Sequence, residues 1–251
     1  AYLKAIVNAY KQLTDTFVFH FTDEDVSTCV LGTDGSTAIQ IILTPFDYRA
    51  RQDKAWVQGG MDLLWGAVKK LKKAETVTVK VEDDKLYVGT IQVGEVVPEG
   101  EIFDTDKIEP PAVRELGFIQ VDVASFKKIL RSAPPSTQYV GFDIDAPGGH
   151  IILGKSIVDL GVPHDWLYGV SGKAREAYTL DLFIPLLVAG LIEDAYIRIT
   201  DKGPVIIEYA EAQSIVRFYM APLTNGAAVI AEVLERPRPV KWKTKVSVSC
   251  L

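Results

Sequence analysis

Over residues 60–74, GMDLLWGAVKKLKKA, apolar positions recur at helical spacing. Leu64, Ala67, Val68 and Leu71 share one stripe of a helix turning about 100° per residue. Lys69, Lys72 and Lys73, at i, i+3 and i+4, fall on the opposite side. One face is built to pack on a sheet, and the other presents clustered positive charge.

The same alternation of faces runs along the chain. Residues 2–13 read as an amphipathic helix with Leu3, Ile6, Tyr10 and Leu13 inward and Lys4, Asn8 and Lys11 outward. Strands are expected over 17–21, 26–31 and 38–43, with turns at 23–25 and 33–35, and a polar connection over 49–54. After the 60–74 helix comes a hairpin, 76–81 and 86–93, around Asp83-Asp84. The pattern then breaks, with Pro98, Gly100, Pro110, Pro111 and several acids reading as a linker. Beyond it the elements restart with a strand over 118–121 and a helix over 125–133. That helix turns Phe126, Ile129, Leu130 and Ala133 inward and Lys127, Lys128 and Arg131 outward, and Pro134-Pro135 stops it. Strands over 139–144 and 150–160 and around Tyr168 follow. A fourth helix is expected over 179–191, kinked or delayed by Pro185, then a meander over 196–200, 205–209 and 214–220.

Helix, strands, helix, strands thus occurs twice. Antiparallel strands with short turns can supply each helix with a sheet to cover. The expectation is an α+β fold of two similar domains, 1–94 and 114–222. A connecting loop at 95–113 joins them, and an extension runs from 223 to 251.

Composition narrows the function. A chain of 251 residues with 48% hydrophobic and 24% charged content reads as a folded protein. No apolar run approaches the ~20 residues that span a bilayer, and no basic-then-apolar leader opens the chain, so no membrane partner is expected. The chain begins inside a helical pattern, so residues are expected before Ala1. Cys29 and Cys250 lie far apart without metal-ligand spacing, which suits a reducing, intracellular setting. The net charge of −6 argues against simple wrapping by nucleic acid, but not against a basic strip inside an acidic protein.

Catalytic patterns are missing. The sequence holds no P-loop, no dinucleotide-binding glycine fingerprint, no nucleophile elbow and no His-Glu-x-x-His. His20, His150 and His164 are isolated, and the paired acids Asp83-Asp84 and Asp143/Asp145 fall at hairpin turns, where Asp is favoured for backbone reasons. No enzyme, metal or cofactor is expected. The residues alone also admit an α+β enzyme or small-ligand binder whose lysine faces are merely solvated.

At 201–222, DKGPVIIEYAEAQSIVRFYMAP resembles the closing hairpin of DNA sliding clamps of the proliferating-cell-nuclear-antigen family. Gly203 to Tyr209 match its Pro-led apolar strand, and Phe218-Tyr219-Met220-Ala221-Pro222 match its terminal signature. The resemblance extends back over the strand pair around Asp34, the 60–74 helix, the linker and the Phe126–Leu130 helix, with an archaeal-like cast. It implies a trimeric, pseudo-sixfold ring with helices lining the hole and sheets forming the outer wall. Lys4, Lys11, Lys69, Lys72, Lys73, Lys127, Lys128 and Arg131 would face the phosphates of double-stranded DNA. Such contacts are non-specific and salt-sensitive. It also implies docking of DNA polymerase, clamp loader, nuclease and ligase through short peptide motifs. Their pocket would lie beneath the linker, at Ala38, Gln40, Pro204, Tyr219, Ala221 and Pro222. Other clamp subunits would close a homotrimer or heterotrimer, 86–93 of one against 150–160 of the next, beside the chromosome.

Three departures stand out. The 179–191 helix carries no Lys or Arg, which leaves room for a specialised or checkpoint-type subunit of a heteromeric ring. Gln40 replaces the usual apolar pocket residue. The chain continues well past the signature; 223–251 is expected to be an added strand, a tail near the pocket or a partner-binding segment.

Overall fold

The computed structural model describes residues 2–44, 55–72, 77–102, 108–188, 193–211 and 214–235. Before the linker lie α1 (Tyr2–Tyr10), β1 (Thr16–Phe21), β2 (Val26–Leu31), β3 (Thr37–Leu43) and β4 (Ala55–Gly60), then α2 (Met61–Val68), β5 (Val79–Glu82), β6 (Lys85–Val88) and β7 (Ile91–Val97). After it come β8 (Glu115–Asp122), α3 (Val123–Arg131), β9 (Tyr139–Asp145), β10 (Gly148–Leu153), β11 (Ser156–Asp159) and β12 (Leu167–Thr179). The chain continues through α4 (Leu180–Leu186), β13 (Asp194–Thr200), β14 (Val205–Glu211), β15 (Ser214–Met220) and α5 (Gly226–Glu235).

The fifteen strands make one sheet in the order β11-β10-β9-β12-β8-β13-β14-β15-β3-β2-β1-β4-β7-β6-β5. Every neighbouring pair is antiparallel. Mid-sheet, β3 and β15 face each other from Thr37 opposite Met220 to Leu43 opposite Ser214. Alternation along the strands sends Val26 and Val30, Ile119 and Val121, and Val216 and Phe218 to one face. There they meet Ile6 and Tyr10 of α1, Leu64 and Val68 of α2, Phe126 and Leu130 of α3, and Phe183 and Leu186 of α4. The Tyr10 hydroxyl shares a 3.2 Å hydrogen bond with the buried Thr28 hydroxyl, which satisfies both inside the core.

Several expectations need correction. The α2 helix ends at Val68 rather than 74: Leu71 N–H bonds back to the Val68 carbonyl, a tightened last turn. Residues 55–60 form β4 rather than a lead-in to that helix, pairing with β1 along its whole length. The linker starts later than 95, because β7 runs to Val97 opposite Trp56 of β4. The β4–β7 approach depends on glycine: a Cβ on Gly59 would lie 2.3 Å from the Val93 carbonyl oxygen, and one on Gly94 2.6 Å from that of Gln58.

Residues 86–93 and 150–160 are not single strands; each folds back at a glycine with positive φ, Gly89 at 62° and Gly154 at 61°. The fourth helix spans only Leu180–Leu186, where the Tyr209 hydroxyl donates to the Leu186 carbonyl at 2.9 Å and accepts Val188 N–H at 2.8 Å. Its expected far end at 189–191 lies outside the described residues.

Candidate functional site

The helices set up the first surface. α1 packs against α2 and α3 against α4. A cavity of about 130 Å³ lies between Ala9 of α1, with Gln12 and Leu13 just beyond it, and Leu182, Pro185 and Leu186 of α4. The four helices therefore lie side by side on one face of the sheet. Their outer sides carry the expected cations, but in different conditions. Lys69, Lys72, Lys128 and Arg131 are exposed, and Lys4 is half-buried. Lys73 lies outside the described residues. Lys11 is ion-paired to Asp62 in the first turn of α2. Lys127 is half-buried and donates to the Leu187 carbonyl at 2.5 Å; burial, then the neighbouring Arg131, pushes its pKa below the ordinary lysine value.

On the opposite face a small separate cluster forms around Ala38, Ile206 and Tyr219, with Leu31 beside it and Ile108 and Val113 laid over it. The returning linker is fixed by Ile108 N–H on the Cys29 carbonyl at 2.9 Å, and by Arg114, whose carbonyl accepts Asp201 N–H at 2.9 Å. The expected pocket residues converge here. Ala38 and Tyr219 face each other across β3 and β15. Ala221 N–H bonds the Ser36 carbonyl at 2.8 Å. The Pro204 carbonyl accepts the Thr200 hydroxyl at 2.8 Å. Pro222 is half-buried just beyond.

Beside the cluster a polar chain crosses five strands. Glu115 pairs with Arg198 at 2.7 Å, Arg198 with Glu208 at 2.7 Å, and Glu208 with Arg217 at 2.7 Å. Arg217 donates to Gln40 Oε1 at 3.2 Å, and the Tyr219 hydroxyl donates to the same oxygen at 2.9 Å. Burial works against the Glu208 charge, but the two guanidiniums outweigh it and hold its pKa below the ordinary carboxylate value. Burial raises the Tyr219 pKa. Ile206, Leu31 and the Arg198–Glu208–Arg217 chain were missed in the sequence. Strict alternation in 205–209 and 214–220 places 206, 208, 217 and 219 on one face, and pairing those strands sets Glu208 opposite Arg217.

The extension is not an added strand over its described part. Residues 226–235 form α5, whose Ile230 is buried against Ile152 and Ala177 on the face away from α1–α4. A Glu176 carboxylate oxygen accepts Ala177 N–H at 3.0 Å, and Ala227 N–H in the first turn of α5 also bonds that carboxylate.

The two outermost strands are β5, exposed along its length, and β11. The expected edge 86–93 is interior, since β6 pairs with both β5 and β7.

With this geometry the chain superposes on PCNA of A. fulgidus bound to the C-terminal region of FEN-1. The TM-score is 0.74 at 18% identity, covering 89% of this chain and 96% of that one. This is the PCNA clamp fold. The clamp of Entamoeba histolytica matches with a TM-score of 0.70 at 14% identity over 89% of this chain and 95% of its own. That of Thermococcus kodakaraensis matches with 0.72 at 14% over 88% and 95%. No family model and no curated protein matches the sequence. Among the described residues no helix is long and apolar enough to cross a membrane.

Proposed function

We propose that the chain is a subunit of a DNA sliding clamp, a non-enzymatic ring that encircles duplex DNA and tethers replication and repair enzymes to it. The observation that carries this reading is the alignment of four helices on one face of a single sheet whose two edge strands, β5 and β11, are open to pairing. Strand addition between copies would close a ring without a separate interface domain. The stretches 1–97 and 115–222 act as its two clamp domains. Lys4, Lys69, Lys72, Lys73, Lys128 and Arg131 meet phosphates; Lys11 and Lys127 contribute less, being engaged within the protein. These contacts carry no sequence information, which suits sliding. The cluster under the linker receives short peptides of polymerase, clamp loader, nuclease and ligase, as the FEN-1 complex of the A. fulgidus protein suggests. The protein works inside the cell, with the chromosome.

A heteromeric ring is the second reading, favoured by α4, whose residues LDLFIPL include no cation and expose Asp181. Light scattering across a concentration series tests both. A mass of three copies, with stimulation of a polymerase on circular DNA, supports the homotrimer. A persistent monomer that forms a ring only with related subunits supports the heteromer. A monomer that joins nothing and leaves DNA synthesis unchanged overturns the clamp.

A further inference from the structure

The peptide site under the linker has a polar residue at its margin whose orientation is determined by its neighbours. Gln40 lies on β3 two residues from Ala38, on the same face, and opposite Arg217 of β15. A guanidinium can only donate, so the Gln40 atom 3.2 Å from Arg217 must be the amide oxygen. The Tyr219 hydroxyl, 2.9 Å away, donates to the same oxygen. Arg217 cannot swing away, because its Nε is held by Glu208 at 2.7 Å, and Glu208 is held in turn by Arg198 at 2.7 Å. The amide is locked with its acceptor used twice.

Its other end is therefore committed as well. Gln40 Nε2 carries two N–H groups with no hydrogen-bond partner among the described residues, on a side chain that is partly exposed. We propose that Gln40 is a specificity residue of the peptide site, which rests on the reading of that site given above. It selects a partner peptide that brings a neutral acceptor, the side-chain carbonyl of Asn or Gln or a hydroxyl, against Nε2 in place of an apolar side chain. An apolar residue seated there would strip water from two donors and leave them unsatisfied, whereas an acceptor replaces that water. A neutral acceptor is favoured over a carboxylate because the nearby charges already balance, Arg198 and Arg217 against Glu115 and Glu208. A carboxylate would be desolvated without a counter-charge of its own.

The test titrates the whole chain with the C-terminal FEN-1 peptide of A. fulgidus and with a set in which each apolar residue in turn becomes Gln or Leu. The same set is run on Gln40→Met and on Gln40→Leu, each of which removes the donors and offers no acceptor to a peptide amide turned the other way. At one peptide position the Gln version should bind the unaltered chain roughly three- to tenfold more tightly than the Leu version, the worth of about one hydrogen bond. That preference should vanish or reverse in both variants. The same ranking on all three chains overturns the role of Gln40 and leaves the peptide site standing. Failure of every peptide to bind any of the chains overturns the peptide site and this role with it. Thermal melts confirm that each variant is folded, and the two variants differ in side-chain shape, so one folding failure leaves the comparison intact.

Discussion

Lys127 reaches across the seam between α3 and α4 to the carbonyl of Leu187, the residue that ends α4, at 2.5 Å. Its ammonium is thereby turned into the protein, while Lys128 beside it stays exposed. Replacing Lys127 by Met should lower stability by about 1 kcal/mol and barely change the salt dependence of DNA association. Replacing Lys128 by Met should leave the melting temperature alone and flatten the salt slope by about 0.9 for each phosphate left unneutralised. Fluorescence titrations with duplex DNA at several salt concentrations, beside thermal melts, separate the two.

Asp62 neutralises Lys11 at the junction of α1 and α2. Asp62→Asn should free that cation for phosphate, tightening DNA association and steepening the salt slope by about 0.9. An unchanged slope would mean that Lys11 does not reach the duplex.

Acid should act through Glu208. Its pKa in the folded chain lies below the ordinary 4.5, so the stability it contributes is fully present above 4.5 and drains away as pH falls through the folded value. Glu208→Gln leaves Arg198 and Arg217 half-paired and should cost about 1–3 kcal/mol at neutral pH. That deficit should shrink as pH falls below 4.5 through the folded value, where the parent chain loses the same interaction. Denaturant melts at a series of pH values read it directly.

The docking of α5 centres on Ile230, with Val233 and Leu234 packed beside it, and on the Glu176 carboxyl. A Cβ on Gly141 would sit 1.9 Å from Ile230 Cδ1, so Gly141→Ala should turn that side-chain end aside and loosen the helix. Ile230→Ala should weaken its docking by about 2–5 kcal/mol. Burial raises the Glu176 pKa, against the pull of Ala177 and Ala227 N–H. Glu176→Gln keeps an acceptor for those N–H groups and removes the buried charge, so α5 should stay docked. Limited proteolysis at neutral pH should cut within 224–235 quickly in the first two variants and no faster than the parent in the third.

Much of this arrangement was legible in the residues. Strands 26–31 and 214–220 were read to the residue, since strict alternation and clear turns bounded them. The 125–133 helix was placed to within two residues, though its cap, Asp122 accepting Ser125 N–H at 2.7 Å, lies upstream of the apolar stripe. The fold-backs at Gly89 and Gly154 stayed hidden because one glycine between apolar residues looks like strand until its φ is known. The strand over 55–60 was missed because its Gly-Gly end looks like a turn, while its tertiary role is close approach to β7. For the candidate site, spacing marked which cations leave the core, but not which find an internal partner. Asp62 is fifty-one residues from Lys11, and Leu187 is sixty from Lys127.

The seam between β3 and β15 has a mechanical consequence. What holds the segments before and after the linker together is a ladder from Thr37–Met220 to Leu43–Ser214, backed by a shared apolar core, rather than the covalent thread through 98–114. Tension that draws the two segments apart across the sheet would pull those hydrogen bonds along their own axes. A chain nicked once between Ile102 and Ile108 should still migrate on a sizing column as one particle.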